Sequence, residues 1–114
     1  MPRRTDLPIY MIEAIIKYLE DYRRELDRRG INNIKLIPIR QKRVLKYHRV
    51  LHEKRNCGSV FGRIMKYLVE NNLALIDNDR KGRYYIRREE VDDAIELLKK
   101  LKRRYTPRKR CREW

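Results

Sequence analysis

What this chain lacks narrows its roles. It has two cysteines, Cys57 and Cys111, too few for a disulfide scaffold, and no CxxC pair of the kind that holds zinc. It has four glycines, none in a loop that cradles phosphate. No apolar run approaches the roughly 20 residues that cross a membrane, and no signal-peptide core opens the chain. The expectation is therefore a cytoplasmic protein with no membrane partner. Gln41 is the only glutamine, while Lys, Arg, Glu and Ile are abundant, a usage that suits a thermophile. Nothing repeats at a fixed long period.

Signs of catalysis are equally thin. His48 and His52 stand four apart, as metal-binding pairs do, but no Glu follows His48 and Cys57 is the one nearby third ligand. His48 falls on an apolar stripe, so a core histidine is the better reading. Acidic residues cluster where helix dipoles favour them, not as working pairs. No catalytic residue, metal or cofactor is expected, and the chain is read as a binding protein.

What the chain does have is positive charge. Its 114 residues carry 31 Lys and Arg against 16 Asp and Glu, a net of +15, while 41% are hydrophobic. That is apolar enough for one folded domain over 1–114 and basic enough to face a polyanion. The excess is uneven. Residues 1–30 hold seven basic and six acidic side chains, a net of +1, and residues 31–58 hold eight and one, a net of +7. Residues 59–88 add seven and three, a net of +4, and residues 89–114 nine and six, a net of +3. Thermophilic surface charge explains the balanced first segment but not the second.

In chain order, a basic lead (1–7) precedes a helix near 8–29, with Asp6 as its cap, Pro8 in its first turn and Gly30 at its end. Ile12, Ile15, Leu19, Tyr22 and Leu26 form its stripe. Residues 34–37 read as a short strand that Pro38 confines to an edge or an end. A second helix over 40–53 places Val44, Leu45, His48 and Leu51 inward and Lys42, Lys46 and Arg49 outward, with Arg43 beside them. A turn over 54–58 leads to a third helix at 59–71, capped by Ser59, with Phe61, Ile64, Met65 and Leu68 on one face. Asn71-Asn72 closes it. A hairpin follows at 73–87, its tip at 78–82 using Gly82 for a positive φ. The last helix, 89–104, has acidic residues first and basic residues last, matching the helix dipole. A basic, loosely ordered tail (106–114) ends the chain. The stripes Ile12–Leu26 and Val91–Tyr105 exceed what a small core needs, so a homodimer through the first and last helices is expected.

A helix-turn-helix followed by a basic hairpin is a winged-helix plan. The fold class expected is therefore α+β, a winged helix-turn-helix with long N-terminal and C-terminal flanking helices. The nucleic-acid-binding residues expected are Lys42, Arg43, Lys46 and Arg49 on the second helix, Ser59, Arg63 and Lys66 on the third, and Arg80, Lys81 and Arg83 on the wing. Arg63 can bind guanine O6 and N7, Ser59, Lys66 and Tyr67 share its exposed side of the helix, and the cations of the second helix and the wing hold phosphates. The segments KLIPI, GSVFGRIMKYLVENNLAL and RKGRYYI, between Lys35 and Arg88, resemble archaeal winged-helix DNA-binding proteins. The same stretch also resembles a winged-helix ribosomal protein of the small subunit. Either resemblance implies a binding module without cofactor or catalysis. The reading is a double-stranded DNA binder, a transcription regulator or a chromatin-type, nucleoid-associated protein. The alternative is an RNA-binding component of the ribosome or another ribonucleoprotein, and a third reading is a protein-interaction module.

Overall fold

The first helix, α1 (Asp6–Arg28), is the post on which the rest is hung. Met11, Ile12, Ala14, Ile15, Tyr18, Leu19 and Leu26 are buried along it, in the expected helical period, while Tyr22 is half-buried. A computed structural model describes residues 6–48, 57–80 and 82–105 of the chain. Gly30, at φ +67°, ends α1 as expected. Its N–H donates to the Asp27 carbonyl and that of Ile31 to the Leu26 carbonyl, which is a Schellman closure around glycine.

Among the described residues the architecture is α+β, with four helices and a three-stranded antiparallel sheet of order β1-β3-β2. β1 (Leu36–Arg40) runs without a loop into α2 (Gln41–Leu45). α3 (Cys57–Glu70) follows, then the hairpin of β2 (Leu75–Ile76) and β3 (Arg83–Arg87). A 3-10 turn (Arg88–Glu90) leads into α4 (Val91–Tyr105). α2, α3 and α4 all pack on α1. Phe61, Ile64, Met65 and Leu68 of α3 meet Ile37, Ile39 and Ile86 of the sheet and Val91, Ala94 and Leu98 of α4 in one core. No charged or polar side chain is buried among the described residues.

Several boundaries differ from those the sequence suggests. The first strand is Leu36–Arg40 and not 34–37, because Ile37 and Ile39 must both turn inward, where they pair with Ile86 and Tyr84. Pro38 fits there because β1 is an edge strand, and its carbonyl accepts the Tyr18 hydroxyl. The second helix stops at Leu45. Tyr47 N–H and His48 N–H bond three residues back, to Val44 and Leu45, and both side chains turn onto α1. Tyr47 sits edge-on to Tyr18, and His48 stacks on Tyr10 with centroids 4.4 Å apart. The rest of the expected second helix and the turn after it lie outside the described residues, as do the side chain of Asp6, the basic lead up to residue 5 and the tail. Ser59 is in the first turn of α3, not at its cap, since the helix already includes Cys57. Asn72, at φ +61°, closes α3 with Leu73 N–H on the Leu68 carbonyl, repeating the closure seen at Gly30.

The stripes of α1 and α4 face each other. Leu19 and Leu98 are both fully buried within one chain. These two positions are covered within the chain itself.

Candidate nucleic-acid interface

α3 exposes one polar face because its largest apolar residues fall on the other, with Val60, Tyr67 and Val69 half-buried at the borders. Ser59, Arg63, Lys66 and Glu70 are exposed, while Phe61, Ile64, Met65 and Leu68 are buried. Gly62 has no neighbour within 4 Å of where a Cβ would stand, so it does not serve close packing on another described element. Arg63 and Lys66 line a shallow cleft of ≈ 300 Å³ with Tyr67, Glu70, Leu101 and Tyr105. The Arg104 guanidinium lies 5.9 Å from the Tyr67 ring centroid. The end of α4 therefore extends the basic face of α3, which the sequence does not announce. Alternating charge along α4 signals a dipole-matched helix, and nothing local says which neighbour its last turn meets.

The hairpin tip is built around Asp77. One carboxylate oxygen accepts the Asp79 N–H at 3.0 Å and the other accepts the Tyr85 hydroxyl at 3.1 Å. The Asp79 N–H, then Tyr85 and the backbone N–H of Arg80, hold the Asp77 carboxyl below its usual range, with Arg83 adding positive charge nearby. Gly82 takes φ +79°, as the turn requires. Arg80 is exposed at the tip and Arg83 half-buried at the base of β3. Lys81 lies outside the described residues.

α2 contributes differently from expectation. Lys42 and Lys46 are exposed, but Lys46 stands in the turn after the helix. Arg43 turns toward Tyr18, where it shares a niche with Pro38 and Arg40 at the sheet edge. Burial pushes the Tyr18 hydroxyl up to about 12, with Tyr22 adding to the rise and Arg43 opposing it. Arg49 lies outside the described residues. The structure thus brings together Arg63 and Lys66 on α3, sets Arg80 and Arg83 on the hairpin, and places Arg43 on a separate edge.

Ion pairing separates the two sides of the protein. Arg23 pairs with Asp92, Arg24 with Asp21, Arg28 and Arg29 with Glu25, Arg88 with Asp27, Arg87 with Glu90, and Lys102 with Glu13. These pairs hold α1, α4 and the joint before α4. Among the described residues, none of them involves Lys42, Arg43, Lys46, Arg63, Lys66, Arg80 or Arg83. Glu70 lines the α3 cleft without closing a bridge to its cations.

His48 behaves as a packed side chain. Its Nε2 is 3.9 Å from Glu13 and its Nδ1 meets no hydrogen-bond partner among the described residues. His52 is outside them, and no group of three or more metal-ligating side chains occurs among them. No described helix is long and apolar enough to cross a membrane. Comparison with known proteins finds no matching family model, curated protein or solved structure.

Proposed function

We propose that this protein is a winged helix that binds double-stranded DNA, with α3 in the major groove and the β2–β3 hairpin as the wing on the backbone. What supports the reading most is the division of charge. The carboxylate bridges lie on α1, α4 and the joint before α4, where Glu90 takes Arg87 from the end of β3, while Arg63 and Lys66 of α3 and Arg80 and Arg83 of the hairpin close none among the described residues. Unpaired surface cations on one helix and an adjacent hairpin repel each other in isolation. They gain when phosphates replace the missing counter-charge and condensed ions are released.

Each part has a distinct task. Lys66 and Arg80 neutralise phosphates and set the register of the protein on the duplex. Arg63, on the exposed centre of α3, reads a guanine edge. Asp77 keeps the wing tip folded so that Arg80 stays in reach. Arg104 and Tyr105 extend the contact beyond the α3 cleft. The role in the cell that fits such a module is a nucleoid-associated regulator or chromatin-type protein.

The test is a competition between duplex DNA and duplex RNA of equal length at matched salt. The major groove of B-DNA admits a helix, whereas that of A-form RNA is deep and narrow. DNA should win. A win for structured RNA sinks the DNA reading and favours a ribonucleoprotein role for the same face.

A further inference from the structure

We propose that the solvent face of the sheet binds an unpaired nucleic-acid strand, stacking a base on Tyr85 and holding phosphate between Arg40 and Arg83. The proposal rests on the nucleic-acid reading above, but it uses a face distinct from the exposed side of α3.

Strand alternation sets this face. Leu36, Pro38 and Arg40 of β1 and Arg83, Tyr85 and Arg87 of β3 point away from the core, since Ile37, Ile39 and Ile86 between them are fully buried. Leu75 of β2 lies across from Tyr85 on the other side, so Pro38, Tyr85 and Leu75 form a row across three strands. The three large aliphatic residues exposed by more than a third among the described residues are Leu36 at 43%, Leu75 at 36% and Ile76 at 53%. All three are on the strands, and two of them share this face. Both tyrosines are half-buried, but Tyr84 turns inward, edge-on to Phe61, whereas Tyr85 is on the outer face with its hydroxyl fixed by Asp77. That pinning costs the ring little further entropy on stacking.

Charge chooses the occupant. Arg40 and Arg83 are direct cross-strand partners on this face, and neither has a carboxylate bridge among the described residues. Like charges directly opposite each other destabilise an antiparallel pair, and an anion between them removes the penalty. Asp77 is the opposing charge beside Arg83, and both its oxygens are already engaged, while Glu90 at the far end is bridged to Arg87 and Glu89 lines the cleft there. At the other end Leu36 and Arg87 border a cleft of ≈ 540 Å³ that Asn32 and Lys35 help to line. Five strand residues span about 13 Å, which suits a short run of bases. An aromatic ring between apolar contacts and arginines is the arrangement on which single strands stack, because every base has a π-face.

The experiment is fluorescence polarisation of the full chain with labelled oligothymidylate and with a duplex of equal length. Tyr85→Phe, which loses the hydroxyl bond to Asp77 at the wing tip but keeps the ring, is the reference variant. Relative to it, Tyr85→Ala should weaken oligothymidylate binding about tenfold or more and leave duplex binding within about twofold. Arg40→Gln should flatten the single-strand salt slope by about 0.7. Unchanged oligothymidylate binding in Tyr85→Ala overturns the proposal. So does equal loss on the duplex, or displacement of the oligonucleotide by polyglutamate as readily as by unlabelled oligothymidylate. If Tyr85→Ala fails to fold, Tyr85→Leu keeps the bulk without the π-face, and unchanged binding there also overturns it. Wild-type protein that binds duplex but not oligothymidylate sinks this proposal alone, and the reverse pattern sinks the duplex reading alone.

Discussion

Arg88 should be a structural arginine in a chain whose other arginines mostly face solvent, and Arg88→Met tests this. Its side chain is only 19% exposed. Nη1 donates to the carbonyls of Ile31 and, at 3.4 Å, Ile34, and Nη2 donates to Asp27 at 2.7 Å. Its backbone N–H donates to the Lys35 carbonyl at 2.8 Å, and the substitution leaves that bond intact. The lost bonds are unequal. The Asp27 side chain is 64% exposed, so its ion pair contributes about 0.5 kcal/mol. The Ile34 contact is long and adds little. The Ile31 carbonyl, bonded to a charged and mostly buried donor, accounts for about 1.5–3 kcal/mol. The total is about 2–3.5 kcal/mol, or about 2–3 after a slight offset by the apolar Met side chain. At about 4 °C per kcal/mol for a domain of this size, Tm should fall by about 8–12 °C. Thermal unfolding followed by circular dichroism reads this, and urea unfolding should show a lower midpoint with an unchanged slope. Arg63→Met, on an exposed face, should change stability by less than about 0.5 kcal/mol. A loss below about 1 kcal/mol in Arg88→Met would refute the view that this side chain clips the 31–35 loop to the ends of α1 and β3.

Further outcomes follow from the same contacts. Leu98→Ala should cost about 2–5 kcal/mol, read by thermal unfolding, with no change in chain mass by light scattering, because Leu98 is fully buried and α4 packs on α1. Loss of a dimer with the fold retained would contradict that placement. The Asp77 carboxyl is held below its usual range, so its contribution is present at neutral pH and is lost as pH falls through the lowered folded value. Amide exchange at the hairpin tip should therefore quicken in acid before exchange in α1 does, and Asp77→Ala should show the fast tip at every pH. The Tyr18 hydroxyl, pushed up to about 12, keeps its proton in the folded state, so its contribution is intact below pH 10 and is lost as pH rises toward 12. Alkaline unfolding should move to higher pH in Tyr18→Phe, while that variant loses about 1 kcal/mol near neutrality through the unpaired Pro38 carbonyl.

Much of this fold was legible where local chemistry and tertiary packing agree. Gly30 and the asparagines at 71–72 mark helix ends because only positive-φ residues close a Schellman turn, and both turns are present. The order of charge along α4 and the placement of Gly82 in the hairpin worked for the same reason. The failures come from partners far away in sequence. Tyr47 and His48 break the second helix by packing on Tyr18 and Tyr10, which periodicity within 40–53 does not encode. The strand shifts to Leu36–Arg40 because its register is set by Ile86 and Tyr84, some 45 or more residues away. The α1 and α4 stripes were each visible, but a stripe does not say whether its partner is in the same chain. The same limit applies to basic residues. Arg63 and Arg88 look alike in sequence, and only burial and hydrogen bonds separate a solvent-facing side chain from a structural clip.

The most direct test of the nucleic-acid reading is the salt dependence of duplex DNA binding. If about six cations on α2, α3 and the wing meet phosphates, the logarithm of affinity should fall against log salt with a slope near −5. Arg80→Ala should flatten that slope by about one unit on every sequence. Arg63→Ala should cost about 1–3 kcal/mol on a preferred site and much less on random duplex, since only a base contact carries sequence information. Affinity that does not change with salt, or that is unaltered in both variants, would contradict the account.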